Sequence, residues 1–101
     1  MERQPAVYVM ASKRHGTLYI GVTSDICSRA NSRKAGEIPG FTKHYGVKQL
    51  VRFQYFESMD NAIRREKQMK EWRRAWKIEL IEKSNPAWRD LHEETCGAYL
   101  P

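Results

Sequence analysis

The sequence has little of what would place it in a membrane, in a disulfide-rich class or around a structural zinc ion. No apolar run approaches the roughly 20 residues that a helix needs to cross a bilayer. The two cysteines, Cys27 and Cys96, lie far apart and the histidines are scattered, so no zinc-ligand spacing is present. Residues 1–5 lack the apolar core of a signal peptide. We therefore expect a cytoplasmic protein with no membrane association and, in that reducing compartment, no disulfide framework.

What the sequence does have is an excess of positive charge in a chain of single-domain size. Its 101 residues are enough for one domain, with a core over about residues 5–92 and a tail over residues 93–101. The net charge of +6 and the pI of about 9.6 favour a polyanionic partner, because each neutralised phosphate releases condensed counterions. A basic protein with no nucleic-acid role is the alternative, and charge alone does not separate the two.

Three segments are rich in β-branched and aromatic residues and predict strands. Residues 7–10 and 17–22 flank a polar loop, as expected of an antiparallel hairpin. Pairing about that loop places Tyr8 roughly opposite Tyr19, with both phenols on one face of the sheet. Residues 49–57 predict the third strand. With the helices described next, we expect an α/β (α+β) fold, in which a small three-stranded, mainly antiparallel sheet is packed with helices.

The first predicted helix carries arginines on its inward face. Thr23 or Ser24 can cap a helix that begins at Asp25 and ends at Gly36. One face of this helix holds two apolar anchors and two arginines, namely Ile26, Ala30, Arg29 and Arg33. An arginine on the core-facing stripe of a small domain needs an anionic partner or an opening to solvent.

The second helical stretch, from Met59 to about Lys83, places a carboxylate on its inward face. Ser58 can cap this stretch, and a break is expected near Arg73-Arg74. The predicted apolar stripe runs through Ala62, Met69, Trp72, Trp76 and Leu80. Glu66 falls on the same stripe, and an inward carboxylate requires a metal ion, a cation or a catalytic role.

The connection between the first helix and the third strand interleaves basic and aromatic side chains. Lys43, His44 and Tyr45 are consecutive there, and this composition suits contact with phosphates and unpaired bases. The alternative is an ordinary loop in which Phe41 and Tyr45 pack under the sheet.

Two tripeptides near the N-terminus, followed by three polar residues, resemble a known nuclease family. The tripeptides Ala6-Val7-Tyr8 and Tyr19-Ile20-Gly21 resemble the pair that names the GIY-YIG domain. The family's later polar positions are matched, at their usual offsets, by Arg29, Glu66 and Asn85. The resemblance covers nearly the whole chain and is closest to the small stand-alone bacterial members.

The resemblance implies metal-dependent endonucleolytic hydrolysis of phosphodiester bonds, with Mg²⁺, or Mn²⁺ in its place, as the cofactor. The implied substrate is nucleic acid, with DNA favoured over RNA, in DNA repair or processing, and we expect a partner protein to supply targeting. By the same resemblance Glu66 holds the metal ion and Arg29 stabilises charge in the transition state. Tyr8 and Tyr19 activate and position the water, and Asn85 orients the phosphate or the site.

Further residues are expected to contact the nucleic acid, namely Arg33, Lys43, His44, Tyr45, Arg65 and Lys70. The implied catalytic residues also have structural interpretations. Glu66 can pair with Arg29 or Arg33, and the two tyrosines can be ordinary core aromatics. Asn85, which precedes Pro86, can simply end a helix.

Two departures from the family pattern bear on the chemistry. Ala6 replaces the first motif glycine and leaves strand geometry intact. Arg33 stands one helical turn after Arg29, where many relatives carry a histidine, and an arginine cannot shuttle protons near neutral pH. Two other functions therefore stay open. One is a nucleic-acid-binding module without turnover, and the other is a protein–protein interaction domain whose basic helix meets an acidic partner.

Overall fold

The computed structural model describes the backbone of residues 4–35 and 46–96, and side chains at residues 4–32 and 46–95. In this part of the chain the elements are, in order, β1 (Ala6–Ala11), β2 (Leu18–Thr23), α1 (Ile26–Ala35), β3 (Gln49–Tyr55), α2 (Met59–Glu71), α3 (Arg74–Ser84) and α4 (His92–Cys96). Residues 92–96, where the predicted tail begins, thus form a short helix, and this helix packs against α1.

The three strands form one antiparallel sheet in the order β2-β1-β3. All six residues of the central strand β1 are buried, because helices cover both of its faces. The predicted fold class, a small antiparallel sheet packed with helices, is confirmed.

Alternate residues of β1 point into two separate cores. One face, here called the aliphatic face, presents Val7, Val9 and Ala11 to a cluster that includes residues of α2 and α3. The other, here called the tyrosine face, presents Ala6, Tyr8 and Met10 to a cluster whose further buried members are Ile26, Ala30, Val47, Leu50 and Leu91. The period of two along a strand produces this division.

The hairpin register differs from the predicted one by two residues. Tyr8 pairs with Gly21, and Tyr19 pairs with Met10. The loop includes Thr17, whose backbone N–H is bonded to the Ser12 hydroxyl at 2.9 Å while its carbonyl accepts from the Ser12 N–H at 3.0 Å. A shift of two residues keeps every side chain on its original face. The prediction that both phenols lie on one face is therefore unaffected.

The long helical stretch breaks one residue earlier than predicted, and the break changes which residues face the core. Ser58 caps α2 as expected, accepting from the Asn61 backbone N–H at 3.2 Å. Trp72 and Arg73 are extended, with ψ values of 152° and 148°, so α3 starts in a new phase. Trp76 is consequently 49% exposed, and Ile81 is the fully buried residue of α3. The predicted continuation of the apolar stripe through Trp76 is wrong for this reason.

Two further observations concern the expectations drawn from composition. Cys27, in α1, is disulfide-bonded, so the expectation that this two-cysteine chain would contain no disulfide is wrong. Across residues 4–35 and 46–96, every helix is too short or too polar to span a bilayer.

Candidate active site

The two motif tyrosines lie side by side on the tyrosine face but differ in access to solvent. Their ring centroids are 6.2 Å apart, with the rings tilted by 47°. Tyr8 is only 1% exposed, whereas Tyr19, on the edge strand β2, is half-buried. Of the two phenols, Tyr19 is therefore the one that can reach a ligand without a rearrangement of the core.

Gly21 is required by the way the Tyr8 ring lies across the hairpin. A Cβ atom built at Gly21 would lie 2.5 Å from Cζ of Tyr8 and closer still to its hydroxyl oxygen. Such approaches are far inside van der Waals contact, so any larger residue would have to displace the phenol. The glycine of the second tripeptide thus leaves the space that the ring of the first tyrosine occupies.

Helix α1 carries Arg29 beside the tyrosine face. Asp25 caps this helix through its carboxylate, which accepts from the Ser28 N–H at 3.2 Å, so Asp25 is the cap rather than the first helical residue. Ile26 and Ala30 pack in the same cluster as Tyr8 and fix the rotation of the helix. Arg29 lies between them in sequence and is half-buried at the margin of this cluster. The side chain of Arg33 lies outside the described residues.

Glu66, on α2, is the carboxylate that the sequence places inward. Its side chain is 14% exposed and forms an ion pair with Lys70, one turn later, at 2.9 Å between Oε2 and Nζ. Sequence reasoning considered Arg29 or Arg33 as its cationic partner, and among the described residues the partner is Lys70.

Lys70 also connects Glu66 to Tyr19. A depression of about 340 Å³ is lined by Leu18, Tyr19, Ile20, Lys70 and Lys77. The Lys77 ammonium donates to the Lys70 carbonyl at 3.4 Å, which holds the ends of α2 and α3 together there. Because β2 is an edge strand, α2 reaches the depression from the aliphatic face while Tyr19 reaches it from the tyrosine face. A phenol and two lysine side chains thus line a depression at the edge of β2, and one of the two lysines, Lys70, is paired with the Glu66 carboxylate.

The donor set at this edge suits Mg²⁺, which needs few protein ligands, better than a metal ion that is held by protein side chains alone. Mg²⁺ is commonly held by one or two carboxylates, with water and substrate phosphate completing its shell. Glu66 is one such carboxylate, and the Lys70 ammonium shows that a cation fits against it. Among the described residues, no group of three or more His, Cys, Asp or Glu side chains comes together.

Asn85 is buried and its amide is fully occupied by backbone partners. Its Nδ2 donates to the Val51 carbonyl at 3.0 Å and to the Arg89 carbonyl at 2.9 Å, while its Oδ1 accepts from the Arg89 N–H at 3.0 Å. These bonds tie the end of α3 to β3 and to the following loop. The geometry favours the structural interpretation of Asn85, which positions other elements without contacting the depression.

The remaining residues predicted to bind nucleic acid fall into two groups. Arg65 is half-buried and its guanidinium carbon lies 4.8 Å from the centroid of the Trp72 ring, while Lys70 borders the depression. Lys43, His44 and Tyr45 lie outside the described residues.

Sequence reasoning missed a polar cluster that clamps the hairpin loop to α3. Glu82 Oε2 lies 2.8 Å from both His15 Nε2 and Trp88 Nε1. The hydrogen bond from His15, followed by that from Trp88, lowers the pKa of the Glu82 carboxyl below its ordinary value. Arg74 adds hydrogen bonds to the carbonyls of His15 and Gly16. No local sequence signal reveals the contact of the hairpin loop with Glu82, because 67 residues separate His15 from Glu82.

Comparison with known proteins identifies the family of the chain and agrees with its fold. The family model of the GIY-YIG catalytic domain matches residues 4–79, and the chain belongs to the GIY-YIG family. It is 35% identical over 66 residues to a UPF0213 protein of Haloquadratum walsbyi, a match that covers 65% of this chain and 74% of the relative. The solution NMR structure of a UPF0213 protein from Bacillus halodurans has the same fold, with a TM-score of 0.55 at 24% identity over 89% of this chain and 95% of that one.

Proposed function

We propose that this protein is a metal-dependent endonuclease that hydrolyses phosphodiester bonds of nucleic acid, DNA rather than RNA, in DNA repair or processing in the cytoplasm. The observation that carries the proposal is the depression at the β2 edge, which Tyr19 and Lys70 both line and where Lys70 pairs with Glu66, in a domain of a nuclease family. A partner protein would supply targeting to particular substrates.

In this proposal the groups at the edge divide the chemistry among them. Mg²⁺, or Mn²⁺ in its place, would supply charge neutralisation at the phosphate and a more acidic water when it is bound by Glu66. The Tyr19 hydroxyl, the accessible one of the pair, hydrogen-bonds the attacking water and orients it. Tyr8 lies behind Tyr19 and holds its ring in position.

In the proposal, three cations stabilise the negative charge as the phosphate becomes pentavalent. Arg29 approaches from α1 on the tyrosine face, and its guanidinium can grip two phosphate oxygens at once. Lys70 and Lys77 approach from the other side of the edge strand. A metal ion at Glu66 would take the place of the Lys70 ammonium, which is then available to the phosphate.

A second function is favoured by one observation at the same edge and by one feature of the sequence. The Glu66 carboxylate is already neutralised by Lys70, and Arg33 stands where relatives use a histidine. A protein that binds nucleic acid but turns over poorly would have this arrangement. It differs from the first proposal in one measurable respect, because binding would occur without metal-dependent cutting.

Nicking of supercoiled plasmid separates these two functions. The proposal expects nicking with Mg²⁺, none with EDTA, and at least a hundredfold loss in Glu66→Gln. Glu71→Gln is the matched control, since Glu71 is an exposed carboxylate on the same helix and its loss should leave the rate unchanged. Binding without metal-dependent nicking in the unmodified protein would establish the second function instead.

A further inference from the structure

The corner between α2 and α3 exposes an aromatic surface that the proposed chemistry does not use. Among the large apolar side chains of the described residues, only Tyr55, at 39%, and Trp76, at 49%, are strongly exposed. Trp76 lies in a depression of about 380 Å³, lined by Trp72, Trp76, Glu79, Leu80 and Lys83. We call this depression the tryptophan corner.

The two indoles of the tryptophan corner each carry a guanidinium. Their centroids are 6.4 Å apart, with the rings nearly perpendicular at 79°. Arg65 lies over Trp72 at 4.8 Å, and Arg73 lies over Trp76 at 5.4 Å. Cation–π contacts of this kind keep the guanidinium groups in place while leaving their N–H donors available.

Packing does not account for this arrangement. Trp72 is partly buried against the aliphatic-face cluster, whereas Trp76 is not among the side chains packed against it and is 49% exposed. A single exposed tryptophan needs no explanation. An exposed indole next to a second indole, in a concave surface with three cations and one acid, has the composition of a site that stacks a base and binds its phosphate.

The tryptophan corner adjoins the candidate active site along the chain. Lys70, which borders the active-site depression, precedes Trp72 by two residues, and Lys77, which also borders it, directly follows Trp76. The two depressions therefore share one helix–helix corner.

We propose that the tryptophan corner binds the unpaired bases of single-stranded nucleic acid, with one base stacked on Trp76 and Arg73 holding its phosphate. This inference rests on the proposed nuclease function and names its substrate class: nucleic acid with a single-stranded region next to the bond that is cut. Glu79 is the one acid of the surface and opposes the phosphate charge.

Binding in EDTA tests the inference without any cutting. Three fluorescein-labelled probes of equal length are compared: a single-stranded oligothymidylate, an abasic strand with the same phosphates, and a duplex. Stacking of one base contributes about 1–3 kcal/mol, so the oligothymidylate should bind the unmodified protein about tenfold more tightly than the abasic strand. Trp76→Ala should remove that difference and leave affinity for the abasic strand unchanged.

Three further variants locate the effect. Tyr55→Ala removes the other strongly exposed aromatic residue and should leave all three affinities unchanged. Arg73→Gln should weaken both single strands and lower the dependence of log Kd on log salt by about 0.7, as expected for one phosphate contact on a single strand. Glu79→Gln should strengthen the binding of both single strands. Thermal unfolding of each variant checks that the fold is retained.

The result that overturns the inference is distinct from failure of the nuclease proposal. If folded Trp76→Ala still prefers the oligothymidylate tenfold, the tryptophan corner is not the base site, whatever the nicking assay gives. If the unmodified protein binds no probe even at low salt, the corner is a surface for a protein partner. If the unmodified protein prefers the oligothymidylate to the abasic strand as expected but never nicks plasmid, the tryptophan corner is supported as a base-binding site and the nuclease proposal is wrong.

Discussion

The two faces of the sheet differ in what their side chains are suited to do. The aliphatic face buries Val7, Val9 and Ala11 against helices that supply Met69 and Ile81, with no polar group on the β1 side chains. The tyrosine face has the same central strand, but it buries a phenol that overlies a glycine of the neighbouring strand. The difference indicates that one face mainly stabilises the domain and the other mainly shapes the site.

The candidate active site lies where these two faces meet. Tyr19 comes from the tyrosine face, whereas Glu66 and Lys70 come from the helix that covers the aliphatic face. At the edge of β2, groups from both sides of the sheet can approach one phosphate. Substitutions on each face should therefore separate stability from activity.

The largest expected effect is on stability and belongs to the aliphatic face. Ile81→Ala removes a fully buried side chain and should lower the free energy of unfolding by about 2–5 kcal/mol. Trp76→Ala, on the exposed side of the same helix, should change it far less. Urea unfolding monitored by circular dichroism measures both, and comparable losses would contradict the assignment of Ile81 rather than Trp76 to the core.

The next largest effect is on the cleavage rate and concerns Tyr19, at the edge of the tyrosine face. Tyr19→Phe keeps the ring and should retain stability while single-turnover cleavage falls about a hundredfold, as for loss of a group that handles a proton. Tyr8→Phe removes a hydroxyl that is almost fully buried and should lower the rate less. Equal losses in the two variants would mean that Tyr8 also reaches the reacting atoms.

The third effect, at Gly21, is on both stability and cleavage rate. Gly21→Ala forces the Tyr8 ring to move and should cost about 1–3 kcal/mol of stability, as over-packing does. It should also lower the cleavage rate, because Tyr8 supports Tyr19. In a Tyr8→Leu background the stability cost of Gly21→Ala should shrink, since the ring it collides with is gone. A cost that persists in that background would place the strain elsewhere.

The fold could be predicted from the sequence because its signals are local. Alternation along residues 49–55 and the cap at Ser58 each act within a few residues of the feature that they define. The face shared by Tyr8 and Tyr19 survives the register error for a related reason, since a shift of two residues preserves alternation. Even the helix break was expected within one residue.

What could not be predicted depends on contacts between distant segments. The Glu66–Lys70 pair is an exception, because the two residues are four apart on one helix and their spacing alone could have predicted it. The exposure of Trp76 follows from a phase change at Trp72 and Arg73, and periodicity carried across a break gives the wrong face. The hydrogen bonds of Asn85 and the Glu82 clamp close only after folding, so neither residue type nor spacing predicts them.

The smallest expected effect is on the clamp between the hairpin loop and α3. Glu82 accepts hydrogen bonds from His15 and Trp88, and these bonds lower the pKa of its carboxyl in the folded protein. A carboxyl whose pKa is lowered by folding stabilises the fold above its unfolded pKa, which is about 4.3 for glutamate. That contribution is lost as the pH falls through the lower, folded value.

Glu82→Gln should therefore be less stable than the unmodified protein at pH 7, and the difference should narrow as the pH falls below about 4. Urea unfolding at pH 7, pH 5 and pH 3 measures the gap between the two proteins. Glu79→Gln is the matched control, because Glu79 lies on the same helix but is exposed outside the clamp, and its gap should stay small at every pH. A Glu82→Gln gap that is equally large at pH 3 and pH 7 would mean that packing of this side chain, and not its charge, holds the loop. Because the clamp is on the aliphatic side of the molecule, the cleavage rate per folded molecule should be unchanged.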